Sequence, residues 1–328
     1  MRRSALLIAL AVITASCSAA EAELARMQEV PVIVEVDANG DDIVAYDPAE
    51  TTPVETTTDA SEIDLFDEQN DTTDEQAGGS NTTAPPTPAD ATTTTEPEPG
   101  IPVIEPTIIE RYPHDGAAFT QGLAFADGVL IESTGLLGES ARRRVAPATG
   151  EVISSARLDA DLFGAGLAVT DGQIIQLTWQ QGVAVVADLT TMLELSRFTY
   201  DGEGWGLCQL DSGSLVMSNG SGFLTLRDVA TFEVTGEIEV TIDGEPTENL
   251  NELECVGGSI YANVWLENNI LEIDAASGDV GRIIDASSLV PGDLAADDVL
   301  NGIAYRAESD TFFLTGKRWT VMYEVSLG

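Results

Sequence analysis

The sequence predicts an all-β protein, a five-bladed β-propeller over residues 107–328, and three observations carry that prediction. One short pattern occurs five times, as Gln121-Gly122-Leu123, Ala165-Gly166-Leu167, Trp205-Gly206-Leu207, Asn251-Glu252-Leu253 and Asn301-Gly302-Ile303. Its middle residues are 44, 40, 46 and 50 positions apart, the spacing a four-stranded blade needs. Each copy leads into an apolar run, a turn such as Asp127-Gly128, Asp171-Gly172, Ser212-Gly213 or Gly257-Gly258, and usually a second apolar run. Asp-Gly between alternating apolar runs is a strong hairpin signal. No long stretch shows helical periodicity.

The elements follow in order. Pro106-Thr107-Ile108-Ile109-Glu110 reads as a strand that pairs with the C-terminal Met322-Tyr323-Glu324-Val325, closing the ring and hiding sheet edges. The inner strand of each blade lines the central channel, so the residues heading those strands, Gln121, Ala165, Trp205, Asn251 and Asn301, face one mouth of it. The second strands run antiparallel and end at the same mouth. Their ends carry Glu132-Ser133-Thr134, Thr178-Trp179, Ser218-Asn219, Asn263-Val264-Trp265 and Thr315-Gly316-Lys317. Aromatic walls with a few polar groups are the usual make-up of a small-ligand pocket. A single tryptophan at such a position is more often a packing residue. Three at equivalent positions favour a pocket wall.

The first third of the chain has a different character. Met1-Arg2-Arg3, the apolar run from Ala5 to Ile13 and Thr14-Ala15-Ser16-Cys17 form a secretory signal, residues 1–17. Cys17 at the cut indicates a lipoprotein held to a membrane by its lipid alone. The alternative is ordinary cleavage nearby, after Ala20 or Ala22. Either way the protein is exported, and the apolar run is too short to span a bilayer. Residues 18–106 read as a disordered linker rich in Thr, Pro and acids, without a lysine or arginine between Arg26 and Arg111.

Charge excludes one partner class. The chain carries 14 Lys+Arg against 56 Asp+Glu, a formal charge of −42, which makes nucleic acid an implausible partner. The acidic propeller favours cationic ligands, a free peptide α-ammonium among them. The one histidine, His114, and the absence of a close cysteine pair exclude a zinc signature, and no cofactor is expected. Asp297-Asp298 reads as a solvated turn rather than a calcium site. Cys208 and Cys255 fall on inner strands of neighbouring blades, and both a disulfide and two buried thiols fit.

Taken in order, Tyr112-Pro113-His114-Asp115, Phe119-Thr120-Gln121-Gly122-Leu123, Glu132-Ser133-Thr134-Gly135, Thr178-Trp179, Gly204-Trp205-Gly206-Leu207, Leu250-Asn251-Glu252-Leu253-Glu254, Ala262-Asn263-Val264-Trp265, Val299-Leu300-Asn301-Gly302-Ile303-Ala304 and Thr315-Gly316-Lys317 resemble the plant and bacterial glutaminyl-peptide cyclotransferases (glutamine cyclotransferases). The resemblance spans residues 107–328. It implies conversion of the N-terminal glutamine of a peptide or protein to pyroglutamate with release of ammonia, without a metal. It also implies that Gln121 and Asn251 orient the substrate amide and amine. Trp205 and Trp265 then wall the pocket with Trp179 beside them, and Lys317 faces developing negative charge.

One position departs from the family. The family usually reads Phe-Gly-Glu-Gly-Leu where this chain reads Phe163-Gly164-Ala165-Gly166-Leu167, and that glutamate is the family's proposed proton shuttle. Glu132 is the nearest replacement by rim position. The departure sets a second reading beside the enzyme, a non-catalytic propeller that binds peptide N-termini or a partner protein.

Overall fold

The computed structural model describes residues 100–328 and the backbone of two short strands, Val34–Val36 and Ile43–Ala45. Cys17 and the signal segment lie outside the described residues, as does most of the span read as linker. The described chain is built almost wholly of strands, with one 3-10 turn at Ser287–Leu289.

The five blades are as the repeat predicts. Their inner strands are Thr120–Ala126, Gly164–Thr170, Leu207–Gln209, Leu250–Val256 and Leu300–Arg306, which we number blades 1 to 5. Each pairs antiparallel with the next strand through the expected tight turn. Asp127 and Gly128 have φ of 51° and 76°, and Asp171 and Gly172 have 46° and 76°, as the hairpin turn requires. Ring closure also holds, because Thr107–Pro113 pairs antiparallel with Val321–Ser326 as the outer strand of blade 5.

Strands extend into the span read as linker. Val103–Ile104 runs parallel to Val280–Asp285 on blade 4, and Val34–Val36 runs parallel to Val152–Arg157 on blade 1. An outer strand presents a row of free backbone groups, and added strands satisfy it. Cys208 and Cys255 are joined by a disulfide between blades 3 and 4, with their Cα atoms 5.5 Å apart.

The glycines of the repeat follow from how closely the inner strands approach. A Cβ at Gly122 would lie 2.7 Å from the Leu167 nitrogen of the next blade, and one at Gly166 would lie 2.6 Å from the Trp205 carbonyl oxygen. Backbone packs on backbone there. At least one hydrogen bond joins each pair of neighbouring blades near the mouth. Ser133 Oγ donates to the Ala165 carbonyl (2.5 Å), Gly166 N to Trp205 O (2.6 Å) and Ser218 Oγ to Asn251 O (2.5 Å). Gly302 N donates to Asn263 Oδ1 (3.0 Å), and Asn301 Nδ2 to Thr120 O (2.9 Å).

Blade 4 breaks the glycine pattern with Glu252. Its buried carboxylate accepts Leu123 N–H at 3.1 Å and Ile303 N–H at 2.8 Å, so one side chain ties blade 4 to blades 1 and 5. Burial raises its pKa well above the ordinary carboxyl value. Glu252→Ala leaves two buried N–H groups unpaired and is expected to cost about 3–5 kcal/mol, whereas Glu252→Gln, which keeps one acceptor, should cost about 1–2 kcal/mol. Urea unfolding of both variants measures the difference.

Candidate active site

The mouth residues form two connected systems, one polar and one aromatic. In the polar system Asn301 stands between two of the residues singled out in sequence. Its Nδ2 donates to the Thr120 carbonyl, which fixes the orientation of its amide. Its Oδ1 therefore faces Asn251 and accepts Asn251 Nδ2 at 2.9 Å. Asn301 Nδ2 also donates, at a longer 3.5 Å, to Gln121 Oε1. Asn251 is left presenting Oδ1, an acceptor, and Gln121 is left presenting Nε2, a donor. An acceptor and a donor side by side suit an amine and a carboxamide oxygen.

The aromatic system is an arc. Phe119 meets Phe163 edge-on at 6.2 Å, and Phe163 meets Trp179 at 5.5 Å. Trp205 meets Trp265 at 5.6 Å. Trp179 and Trp265 are 37% and 38% exposed, which argues against blade packing for both, and Trp205 is half-buried. The fourth tryptophan, Trp319, shows the contrast. It is fully buried and its Nε1 donates to Asp298 O at 2.9 Å, a packing residue.

Lys317 ends the arc. Its ammonium sits 5.0 Å from the Phe119 ring centroid, and among the described residues no carboxylate pairs with it. Burial lowers its pKa to about 8, with Asp297 opposing the shift through its charge. A buried, unpaired ammonium costs stability.

Glu132 does not occupy the role expected for it. It is buried and ion-paired to Arg143 at 2.5 Å, the residue directly opposite it on the neighbouring strand. His114 Nε2 at 3.0 Å and Thr120 Oγ1 at 2.7 Å fill the other oxygen. Burial alone would raise its pKa. The charge of Arg143 and the hydrogen bonds from His114 and Arg143 outweigh this and hold it at about 2. A carboxylate so fixed stays ionised at neutral pH and is poorly placed to carry a proton. It is the anchor of the Tyr112-Pro113-His114-Asp115 motif, since His114 also bonds the Trp319 carbonyl at 2.7 Å and Asp115 pairs with Arg143 at 2.6 Å.

A residue that the sequence reading passed over lies between the two halves of the arc. Glu203 Oε2 accepts Trp179 Nε1 at 2.8 Å and Trp205 Nε1 at 2.9 Å, and its Oε1 accepts Gln180 Nε2 at 2.8 Å. Asp201-Gly202-Glu203-Gly204 has the composition of a solvated turn, so only the adjacency to Trp205 could have pointed to it. A separate cleft of about 160 Å³ flanks the mouth on blade 1, running from Phe119 and Gly135 past Arg143 to Ser155 on the outer strand. It shares Phe119 with the arc but contains none of the three tryptophans or Lys317.

The family model of glutamine cyclotransferase matches residues 82–327. The chain belongs to the glutamine cyclotransferase family. A glutaminyl-peptide cyclotransferase of Arabidopsis thaliana is 35% identical over 226 residues, 67% of this chain and 70% of the relative. The crystal structure of Myxococcus xanthus glutaminyl cyclase superposes with a TM-score of 0.65 at 39% identity, covering 70% of this chain and 97% of that one. The shared fold is the propeller, and within this family member the mouth carries Ala165, a buried residue without an ionisable group.

The burial of Lys317 makes a stability prediction. With a folded pKa of about 8 against 10.5 unfolded, its charge opposes folding at neutral pH, and the opposition fades as pH rises through that interval. Lys317→Met should therefore raise stability at pH 7 by about 2–3 kcal/mol, with the gain shrinking toward pH 10. Thermal melts across that range check both the sign and the trend.

Proposed function

We propose that this protein is a glutaminyl-peptide cyclotransferase acting on peptides or proteins with N-terminal glutamine. The observation that carries the reading is the conjunction at one mouth of an oriented amide pair, an indole-lined wall and an unpaired buried ammonium, in a chain of this family. In the reaction the neutral α-amine attacks its own γ-carboxamide carbon. The new C–N bond forms as the bond to the side-chain nitrogen breaks. One proton leaves the attacking nitrogen and one is gained by the departing nitrogen, so ammonia is released and no net proton is consumed by the amide exchange.

Each group has a part in that sequence. Asn251 Oδ1 accepts from the attacking amine, and Gln121 Nε2 donates to the carboxamide. Holding the side chain folded back supplies near-attack geometry. Lys317 stabilises the oxyanion, and its low-dielectric surroundings strengthen that interaction. Trp205, Trp265 and Trp179 enclose the aliphatic part of the side chain and exclude water. The binding-only reading is weaker, because a site built merely for recognition has no use for a destabilising buried ammonium.

Incubation with a Gln-initiated peptide is expected to give a mass loss of about 17 Da, the mass of ammonia, while the Glu-initiated twin is unchanged. The rate should rise as the α-amine loses its proton near ~7.7–8.0. It should fall as Lys317 loses its own at about 8, which gives a bell centred near pH 8. No ammonia release at any pH would leave the binding-only reading.

We further propose that the protein is exported and anchored by a lipid on Cys17, a reading supported by the basic start, the short apolar run and the small residues before that cysteine. Cys17→Ser should move the protein from the membrane to the soluble fraction, and unchanged membrane association would defeat the anchor.

A further inference from the structure

We propose that Glu203 is the binding residue for the α-ammonium of the incoming peptide, a role that rests on the cyclotransferase reading of the same mouth. The carboxylates near the channel differ in what satisfies them. Glu132 is neutralised by Arg143 and bonded by His114 and Thr120. Glu252 is turned into the channel, where it accepts the Leu123 and Ile303 N–H groups. Glu203 differs from both. All three of its donors are neutral, two indole N–H groups and one amide, and among the described residues no cation pairs with it.

Its geometry leaves room for a further donor. A carboxylate has about four lone-pair sites, and three are occupied here. Oε2 is held by both tryptophans, while Oε1 carries only the Gln180 bond. The three hydrogen bonds fix the group so that little side-chain freedom is lost on binding, and they favour the ionised form. The two indoles that grip it belong to the arc, so the charge sits within the pocket wall and not on a detached loop. An ammonium arriving there meets a full negative charge that no protein cation neutralises. Ala165 leaves the adjoining inner strand without an ionisable group, which makes Glu203 the unneutralised carboxylate at this wall.

The test separates amine recognition from turnover. Two norvaline-initiated peptides, one with a free α-amine and one acetylated, lack the carboxamide and cannot cyclise. Isothermal titration should show the free amine binding roughly tenfold or more tighter than its acetylated twin at pH 6.5, as a charge-assisted hydrogen bond supplies. In Glu203→Gln, which keeps an oxygen for the indoles, that ratio should collapse to near one, while Glu203→Asp should keep a preference for the amine. If Glu203→Gln does not fold, Glu203→Asp decides: its shorter reach should weaken the amine preference several-fold without abolishing it, and an unchanged ratio there overturns the proposal.

A ratio near one for the wild type at pH 6.5, or an unchanged ratio in folded Glu203→Gln, overturns the proposal. Turnover of Gln-initiated peptides without an amine preference would overturn it while leaving the cyclotransferase reading intact. A Glu203-dependent preference without ammonia release would support it and overturn that reading.

Discussion

The close approach of the inner strands, backbone against backbone at three glycines of the repeat, governs the rest of this molecule. At Gly122, Gly166 and Gly206 a Cβ would strike the neighbouring backbone, and hydrogen bonds then run from blade to blade around the whole mouth. Glu252 takes the one position of the repeat where a side chain enters, and its carboxylate meets two strand N–H groups that would otherwise be buried unpaired. The mouth is therefore rigid for a backbone reason. Residues heading the strands inherit positions that no loop could hold as well.

The same closeness produces the chemistry. Asn301 Nδ2 makes the bond that joins blade 5 to blade 1, and the other end of its amide sets Asn251. A structural hydrogen bond thus orients a candidate site residue. Charge follows a similar logic. The propeller is acid-rich, and the half-buried Arg143 and Arg306 pair with Glu132 and Glu324, while the buried Arg142 and Arg227 donate to the Met192 and Phe232 carbonyls instead. Lys317 lies against the Phe119 ring, and among the described residues neither a carboxylate nor a carbonyl pairs with its ammonium. In so acidic a chain an unpartnered cation is a costly arrangement, and function is the natural reason for keeping it.

Much of this was legible in the sequence because it depends on local rules. The Asp-Gly turns, the blade spacing and the closing strand all rest on short-range patterns that the structure repeats. The glycines were visible, but their cause was not, since it lies in a neighbouring blade 44 or 40 residues away. Glu132 shows how a position can be right and a role different. Its place at the end of a second strand was readable, but its partner Arg143 faces it only in the folded register. Glu203 was hidden in the opposite way, because a turn composition suggests solvent while its donors come from Trp179 and Trp205. The cysteine pair stayed open in sequence because spacing across blades does not fix Cα separation, which the structure sets at 5.5 Å.

The loss of a carboxylate at Ala165 then looks less severe than the motif alone suggests. Amide exchange moves one proton from the attacking nitrogen to the leaving one, so the chemistry needs no strong base held at a distance. The α-amine titrates at ~7.7–8.0. A substantial fraction of free peptide is therefore neutral at mild pH, and an ammonium bound at Glu203 has to release its proton before it attacks. What the site must supply is orientation and charge balance, for which the amide pair, Lys317 and the pinned Glu203 carboxylate are suited. A proton shuttle adds ~10²–10⁴-fold to such a reaction, whereas positioning and electrostatics account for larger shares of the barrier. A family member without the shuttle is thus expected to be slower than its relatives but still an enzyme, because the groups it retains act on the greater part of the barrier.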